Sequence, residues 1–165
     1  TSLDAQLSRS LEPRAPAPAR RLQTIRRLSG AGVPVRVMVA PVIPVVTEPE
    51  IEAILTAAAG AGARAAGWVL LRLPYEVAPL FHDWLDRHLP GQAAPVMNRL
   101  REMRGGKDYD AEWGRRMKGE GIFADLIARR FRIAAKRLGL DGPLPKADLT
   151  RFGRPPASGD QLTLF

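Results

Sequence analysis

The sequence predicts an α/β fold that carries only part of a parallel sheet, and three observations predict it. Two β-branched runs, VPVRVMVAPVI (33–43) and ARAAGWVLLRLP (63–74), have too little polar alternation for strands with one wet face. They read as strands buried on both faces. A helical pattern with short glycine-rich turns lies between them, which is the sequence form of a βαβ unit. Two strands alone leave a sheet with two naked edges, an arrangement a monomer rarely keeps.

Ahead of the first strand, AQLSRSLEP (5–13) forms a short helix that Pro13 ends. PAPARRLQTIRRLSGAG (16–32) is a longer one. Leu22, Ile25 and Leu28 recur at three-residue spacing, Arg20, Arg21, Arg26 and Arg27 lie off that stripe, and Gly30 and Gly32 suit its C-terminal cap. Between the strands, Thr47 is placed to N-cap a helix through EIEAILTAAAGAGA (50–63), with Pro49 and Glu50 in its first turn.

Past Pro74 the pattern turns helical. EVAPLFHDWLDRHLP (76–90) sets Val77, Leu80, Phe81, Trp84 and Leu85 on one stripe, and AAPVMNRLREMRGG (93–106) is a second helix closed by Gly105 and Gly106. A loop rich in glycine and charge follows, GGKDYDAEWGRRMKGEG (105–121). FADLIARRFRIAAKRLGL (123–140) is the last strong helix, with Phe123, Leu126, Ile127 and Ala134 inward and Arg129, Arg132 and Lys136 on the opposite stripe. From Asp141, proline, glycine and small polar residues predict an extended or disordered tail. The organisation is therefore βα units over 1–74, a helical extension over 75–140 and a tail over 141–165.

A chain of 165 residues, 45% apolar, can bury one modest core. It has no cysteine, which excludes disulfides and thiolate metal sites within these residues. His82 and His88 are its only histidines, too few for a self-contained zinc site, and both read as structural. The formal charge of +8 is uneven: ten Lys/Arg face eight Asp/Glu through residue 90, and fifteen face nine after it. A basic second half points to a polyanionic partner, nucleic acid first, or to a solvated arginine-rich surface. No apolar stretch is long enough to span a bilayer, and TSLDAQLSRS has neither an initiator Met nor a signal-peptide layout. The expectation is a cytoplasmic piece of something longer.

Residues alone show no nucleophile–base pair, phosphate loop or metal spacing. TSLD (1–4), LEPRAP (11–16) with the basic helix after it, GAGVPVRVMVAPVIP (30–44), TEPEIEAILTAAAGAGA (47–63) and VLLRLP (69–74) together resemble the later half of a radical S-adenosylmethionine barrel. Within that superfamily the chain is most similar to bacterial proteins akin to spore photoproduct lyase, from Thr1 to about Leu140. The resemblance implies the C-terminal part of a partial TIM-like barrel. It also implies a parent protein that binds S-adenosylmethionine on a [4Fe–4S] cluster, cleaves it to a 5′-deoxyadenosyl radical, and acts on DNA or a nucleotide. The cluster loop CxxxCxxC would precede Thr1, and a chain without cysteine should be inert by itself.

The resemblance assigns roles by position. Ser2 would meet the ribose hydroxyls, or else cap the following helix. Arg14 would grip the methionine carboxylate, with Glu12 taking the amino group or orienting Arg14. The backbone of Val39, Ala40, Pro41 and Val42 would line the adenine, and Leu71 would touch it. Relatives read PVIPGLTD where this chain has PVIPVVTE (41–48), so Val45 and Val46 replace a position suited to positive φ. Arg72 is either a substrate-phosphate contact or a rim charge. Lys107, Tyr109, Arg115, Arg116 and Lys118 form either a polyanion clamp with a stacking aromatic or an ordinary cover over the barrel mouth.

The chain ends on QLTLF (161–165), close to the Gln-Leu-x-Leu-Phe pattern by which bacterial repair proteins and polymerases dock on the DNA sliding clamp. Leu164 and Phe165 would fill one apolar pocket, Leu162 a neighbouring one, and Gln161 would set the register. The other reading is that the tip packs on its own domain. The sheet's open edge makes a homodimer a further expectation. A non-enzymatic adaptor, basic and clamp-docked through its tail, is the alternative to the radical enzyme.

Overall fold

In the computed structural model, residues 2–146, 148–155 and 157 are described. Among these described residues, six α-helices and two strands follow in the order α1 (Ala5–Leu11), α2 (Pro18–Gly30), β1 (Arg36–Val42), α3 (Ile51–Gly60), β2 (Ala65–Leu70), α4 (Val77–His88), α5 (Ala93–Glu102) and α6 (Ile122–Arg137). The fold is mixed α/β with a small parallel sheet.

β1 and β2 pair in parallel, with Arg36 opposite Ala65 and Val39 opposite Trp68, and an irregularity follows between Val39 and Val42. A parallel pair needs a crossover, and α3 supplies it. Its apolar side buries Ile51, Ile54, Leu55 and Ala58. α3 packs on β1, α6 packs on β2, and the two helices pack on each other. They form one layer. The core beneath continues from Val39, Val42 and Leu70 through Leu73 and Leu85 to Val96, Leu100 and Met103. Each such side chain contributes roughly 1.5–3 kcal/mol by leaving water.

The prediction of strands buried on both faces is corrected. Trp68 meets Phe131 of α6, ring centroids 6.3 Å apart. Met38 and Gly67 share the opposite face, where the Met38 Cε lies 3.1 Å from where a Cβ on Gly67 would stand. Met38 is 51% exposed, so helices cover one face and leave the other open. An apolar run reports what a strand tolerates on each side, not which sides are covered.

Three further expectations change. Thr47 does not cap a helix: its hydroxyl accepts the Ile43 N–H at 2.8 Å and donates to the Pro41 carbonyl at 3.2 Å, closing the turn after β1. A 3-10 turn, Glu48–Glu50, leads into α3 instead. Leu80 on α4 (64% exposed) and Leu126 on α6 (48%) sit outside the core, because each helix buries a narrower stripe than its apolar spacing suggests. The glycines behave as expected where α5 ends, with Gly105 and Gly106 both at positive φ (61° and 85°).

Candidate functional site

In parallel α/β folds, ligand contacts gather at the C-terminal ends of the strands. Here those ends are Pro41–Thr47 after β1 and Leu71–Arg72 after β2.

The β1 end is a tight turn. The Ile43 carbonyl accepts from the N–H groups of Val46, Thr47 and Glu48, at 3.2, 3.0 and 3.0 Å. Val45 sits inside this turn at φ 68°, the left-handed region that a β-branched residue disfavours. Thus the position where the sequence departs from its resemblance does adopt positive φ, with valine in place of glycine. The peptide before Pro41 is cis. Beside the turn lies a cavity of about 150 Å³ lined by Val45, Glu48, Arg99, Phe123 and Leu126. The Arg99 guanidinium stands 3.2 Å over the Phe123 ring. That volume is below the usual range for a cofactor.

The chain's start is fastened to this end. Ser2 donates to Glu50 Oε1 at 2.6 Å, and the Leu3 N–H donates to Oε2 at 2.7 Å. The Ser2 hydroxyl also accepts the Asp4 N–H at 2.9 Å. Ser2 is buried, and its hydroxyl does not cap the helix that follows. The side chain that caps α1 is Asp4, which accepts from Gln6 and Leu7 N–H. Glu12 holds Arg21 at 2.6 Å, and Arg14 is exposed on the turn after α1. The side chains of Val39, Val42 and Leu71 are packed in the core, leaving half-buried Ala40 and Pro41 as the accessible wall residues.

At the β2 end a residue not singled out in the sequence organises everything. Arg104 is 2% exposed. Its Nη2 donates to the Leu71 carbonyl at 2.9 Å and its Nη1 to the Arg115 carbonyl at 3.0 Å, while its buried Nε has no partner. Burial draws its pKa below the usual arginine value; nearby Asp110 opposes that and the like charge of Arg72 adds to it. An arginine near a helix C-terminus reads as a solvated charge, so the pattern held no signal for it.

Arg104 seats the 105–121 loop on the strand. The Leu70 N–H donates to the Met117 carbonyl at 2.8 Å, and the Glu120 N–H to the Met103 carbonyl at 3.1 Å. Gly119, at φ 74°, lies so close that a Cβ would stand 2.9 Å from both Leu70 Cδ2 and the Met103 carbonyl oxygen. Asp108 pins the loop's entry, taking Arg101 Nε at 2.5 Å and His82 Nε2 at 2.8 Å. Arg101 foremost, then His82, holds the Asp108 carboxyl below its ordinary value. His82 is thus a fastener of the loop, and His88 stacks on Trp84 with ring centroids 5.3 Å apart.

This arrangement divides the residues grouped as a polyanion clamp. Lys107, Arg115, Arg116 and Lys118 share the loop with Asp108, Asp110, Glu112 and Glu120, so the loop carries no net charge. Arg115 bonds to Glu112, to Asp110 at 3.2 Å and to Glu120 at 3.3 Å. Arg72 donates to the Tyr109 hydroxyl at 3.2 Å, with its guanidinium carbon 5.9 Å from the ring centroid. Arg116 lies 4.2 Å over the exposed Trp113 ring. Lys107 and Lys118 remain solvent-facing. Of the loop's four cations, Arg115 is the one ion-paired with the loop's carboxylates among the described residues. Gln161, Leu162, Leu164 and Phe165 lie outside the described residues.

No family model, no curated protein and no solved structure matches this chain. Among the described residues, no helix is long and apolar enough to cross a membrane.

Proposed function

We propose that this chain is the closing part of a radical S-adenosylmethionine-type barrel, akin to spore photoproduct lyase, whose whole protein acts on DNA or a nucleotide. The observation that carries the reading is an asymmetry between the two sheet edges. The outer edge of β2 is plugged, Ala66 donating to the Leu140 carbonyl at 2.9 Å and Leu70 to Met117 at 2.8 Å. The outer edge of β1 has no strand beside it among the described residues. Further parallel strands therefore have one place to join. The open face with Met38, Ala40 and Gly67 then becomes the barrel interior, and the strand ends its mouth. A second copy seated on the same edge is the competing way to cover it.

A [4Fe–4S] cluster does not fit these residues. Thiolates hold such clusters, the chain has none, and no group of three His, Asp or Glu gathers in their place among the described residues. No radical step is assigned to this chain. Its contribution is a wall at the mouth, made by Ala40, Pro41 and the backbone that follows. Titration with S-adenosylhomocysteine, followed by calorimetry, tests that role. The reading expects weak saturable binding that falls by about tenfold or more, over 1.4 kcal/mol, in Ala40→Trp. No binding, or equal binding in that variant, overturns it.

The alternative, a basic adaptor docked on the sliding clamp, draws on α6, where Arg129, Arg132 and Lys136 line one exposed side. A labelled RPPASGDQLTLF peptide titrated against purified clamp, beside a copy with Leu164 and Phe165 changed to Ala, decides it. Equal signals end the adaptor reading.

A further inference from the structure

The plugged edge of β2 encloses a groove of its own. Its volume is about 590 Å³, within the range of small-molecule sites. Met38, Trp68, Met117 and Phe131 make its apolar surface, with Lys118, Arg132 and Asp141 as its charged residues. We infer that this groove is a mononucleotide site, taking an amino-bearing purine against Trp68 with its phosphate on Lys118 and Arg132.

The two plugs set the size of the occupant. Leu140 takes the Ala66 N–H and Met117 takes the Leu70 N–H. Those positions are four residues apart, about 13 Å at 3.3 Å per residue. Strand alternation turns the Trp68 N–H and C=O to the same edge, midway between the plugs. The Ala66 carbonyl on the same edge already accepts from Arg36 Nη1 at 3.4 Å, and the one donor and one acceptor of Trp68 are too few to pair with an incoming peptide strand. They suit a ligand about as long as a nucleoside monophosphate.

Charge sets the ligand's direction. Lys118 adjoins the plug at the Leu70 end, and Asp141 adjoins the plug at the Ala66 end. Arg132 follows Phe131, which meets Trp68 midway along the groove, and neither Lys118 nor Arg132 forms an ion pair among the described residues, so an anion lying between mid-groove and the Leu70 end meets uncompensated positive charge. The carboxylate at the far end accepts from ring N–H and exocyclic amino groups. Guanine offers two such donors side by side. Between the ends, the Met117 thioether and the Trp68 and Phe131 rings supply the soft, polarisable surface that a flat heteroaromatic prefers, and Met38 borders the groove from the sheet's other face. The Trp68 ring is half-buried and tilted 40° against Phe131. This site runs along the outer edge of β2, from the Leu140 plug to the loop at the strand's C-terminal end, and does not rest on the barrel reading.

The test is calorimetric titration of the whole chain with GMP, guanosine and IMP, repeated on Lys118→Glu/Arg132→Glu and on Asp141→Asn. All three substituted residues are exposed, and circular dichroism checks that the fold is kept. GMP is expected to bind saturably, and guanosine about tenfold more weakly. The double charge variant should lose GMP affinity by about tenfold or more, and Asp141→Asn should abolish the preference for GMP over IMP. No saturable GMP binding overturns the site, as does unchanged affinity in the charge variant. A single-stranded oligonucleotide that binds while GMP is silent also overturns it, and marks the groove as part of a longer nucleic-acid track.

Discussion

Arg104 reaches from inside the core to the Leu71 carbonyl at 2.9 Å, and so joins the helical extension to the very end of β2. Its other arm holds the Arg115 carbonyl. One buried guanidinium thereby decides where seventeen residues of loop sit, from Gly105 to Gly121. Arg104→Ala leaves two carbonyls without this donor and a void in the core. We expect a loss of about 2–4 kcal/mol in urea unfolding. Arg104→Met, which keeps the volume, should cost less globally yet still free the loop. Limited trypsin digestion at Arg115 and Arg116 reads that release. Unchanged cleavage in both variants would show that Arg104 does not seat the loop.

Val45 occupies left-handed backbone at φ 68° in the turn closing β1. A non-glycine residue there costs about 1–3 kcal/mol, and glycine returns about 0.5–1 kcal/mol of that through the entropy of the unfolded chain. Val45→Gly should therefore stabilise the protein by about 1 kcal/mol, while Val45→Ala gains much less. Thermal melts of the pair measure it. A Val45→Gly protein less stable than Val45→Ala would mean that the side chain's packing outweighs the strain.

Acid should loosen the loop's entry. The Asp108 carboxyl is held below its ordinary value by Arg101 and His82, and Glu52 is lowered in the same sense by Arg130. A depressed folded pKa gives stability that is present above the unfolded value and lost as pH falls through the folded one. The window is thus below about pH 4. The groups are partly exposed, so Asp108→Asn should cost under about 1 kcal/mol at neutral pH. The variant should also lose less stability than the parent between pH 5 and pH 3, two values chosen to bracket the carboxylate range. Denaturant midpoints across that range are the measurement, and parallel pH profiles would contradict the assignment.

Much of the fold was legible because its signals are local. The Ala5–Leu11 and Pro18–Gly30 helices, both strands and the Gly105–Gly106 stop follow from periodicity and backbone preference. What misled were properties of the surroundings. Met38 lies in a run as apolar as Val39, yet only Val39 is covered by the helical layer. Thr47 has the chemistry of a cap, but the carbonyl and amide it reaches belong to the turn before it. Arg115 reads with Lys107, Arg116 and Lys118 as one of a set of loop cations, and only folding shows it among three of the carboxylates that interleave with them. Arg104 was invisible, since burial of a charge depends on carbonyls that other segments deliver.

Among the described residues the sheet is sealed along β2 and open along β1. Amide hydrogen exchange with assigned NMR resonances tests it most directly. In β1, alternation turns the Met38 N–H outward, away from the edge shared with β2. Exchange should be fast at Met38 and slow, near the global unfolding limit, at Ala66 and Leu70, which donate to Leu140 and Met117. Protection at Met38 equal to that at Ala66 would contradict it, for it would mean that the β1 edge is already covered.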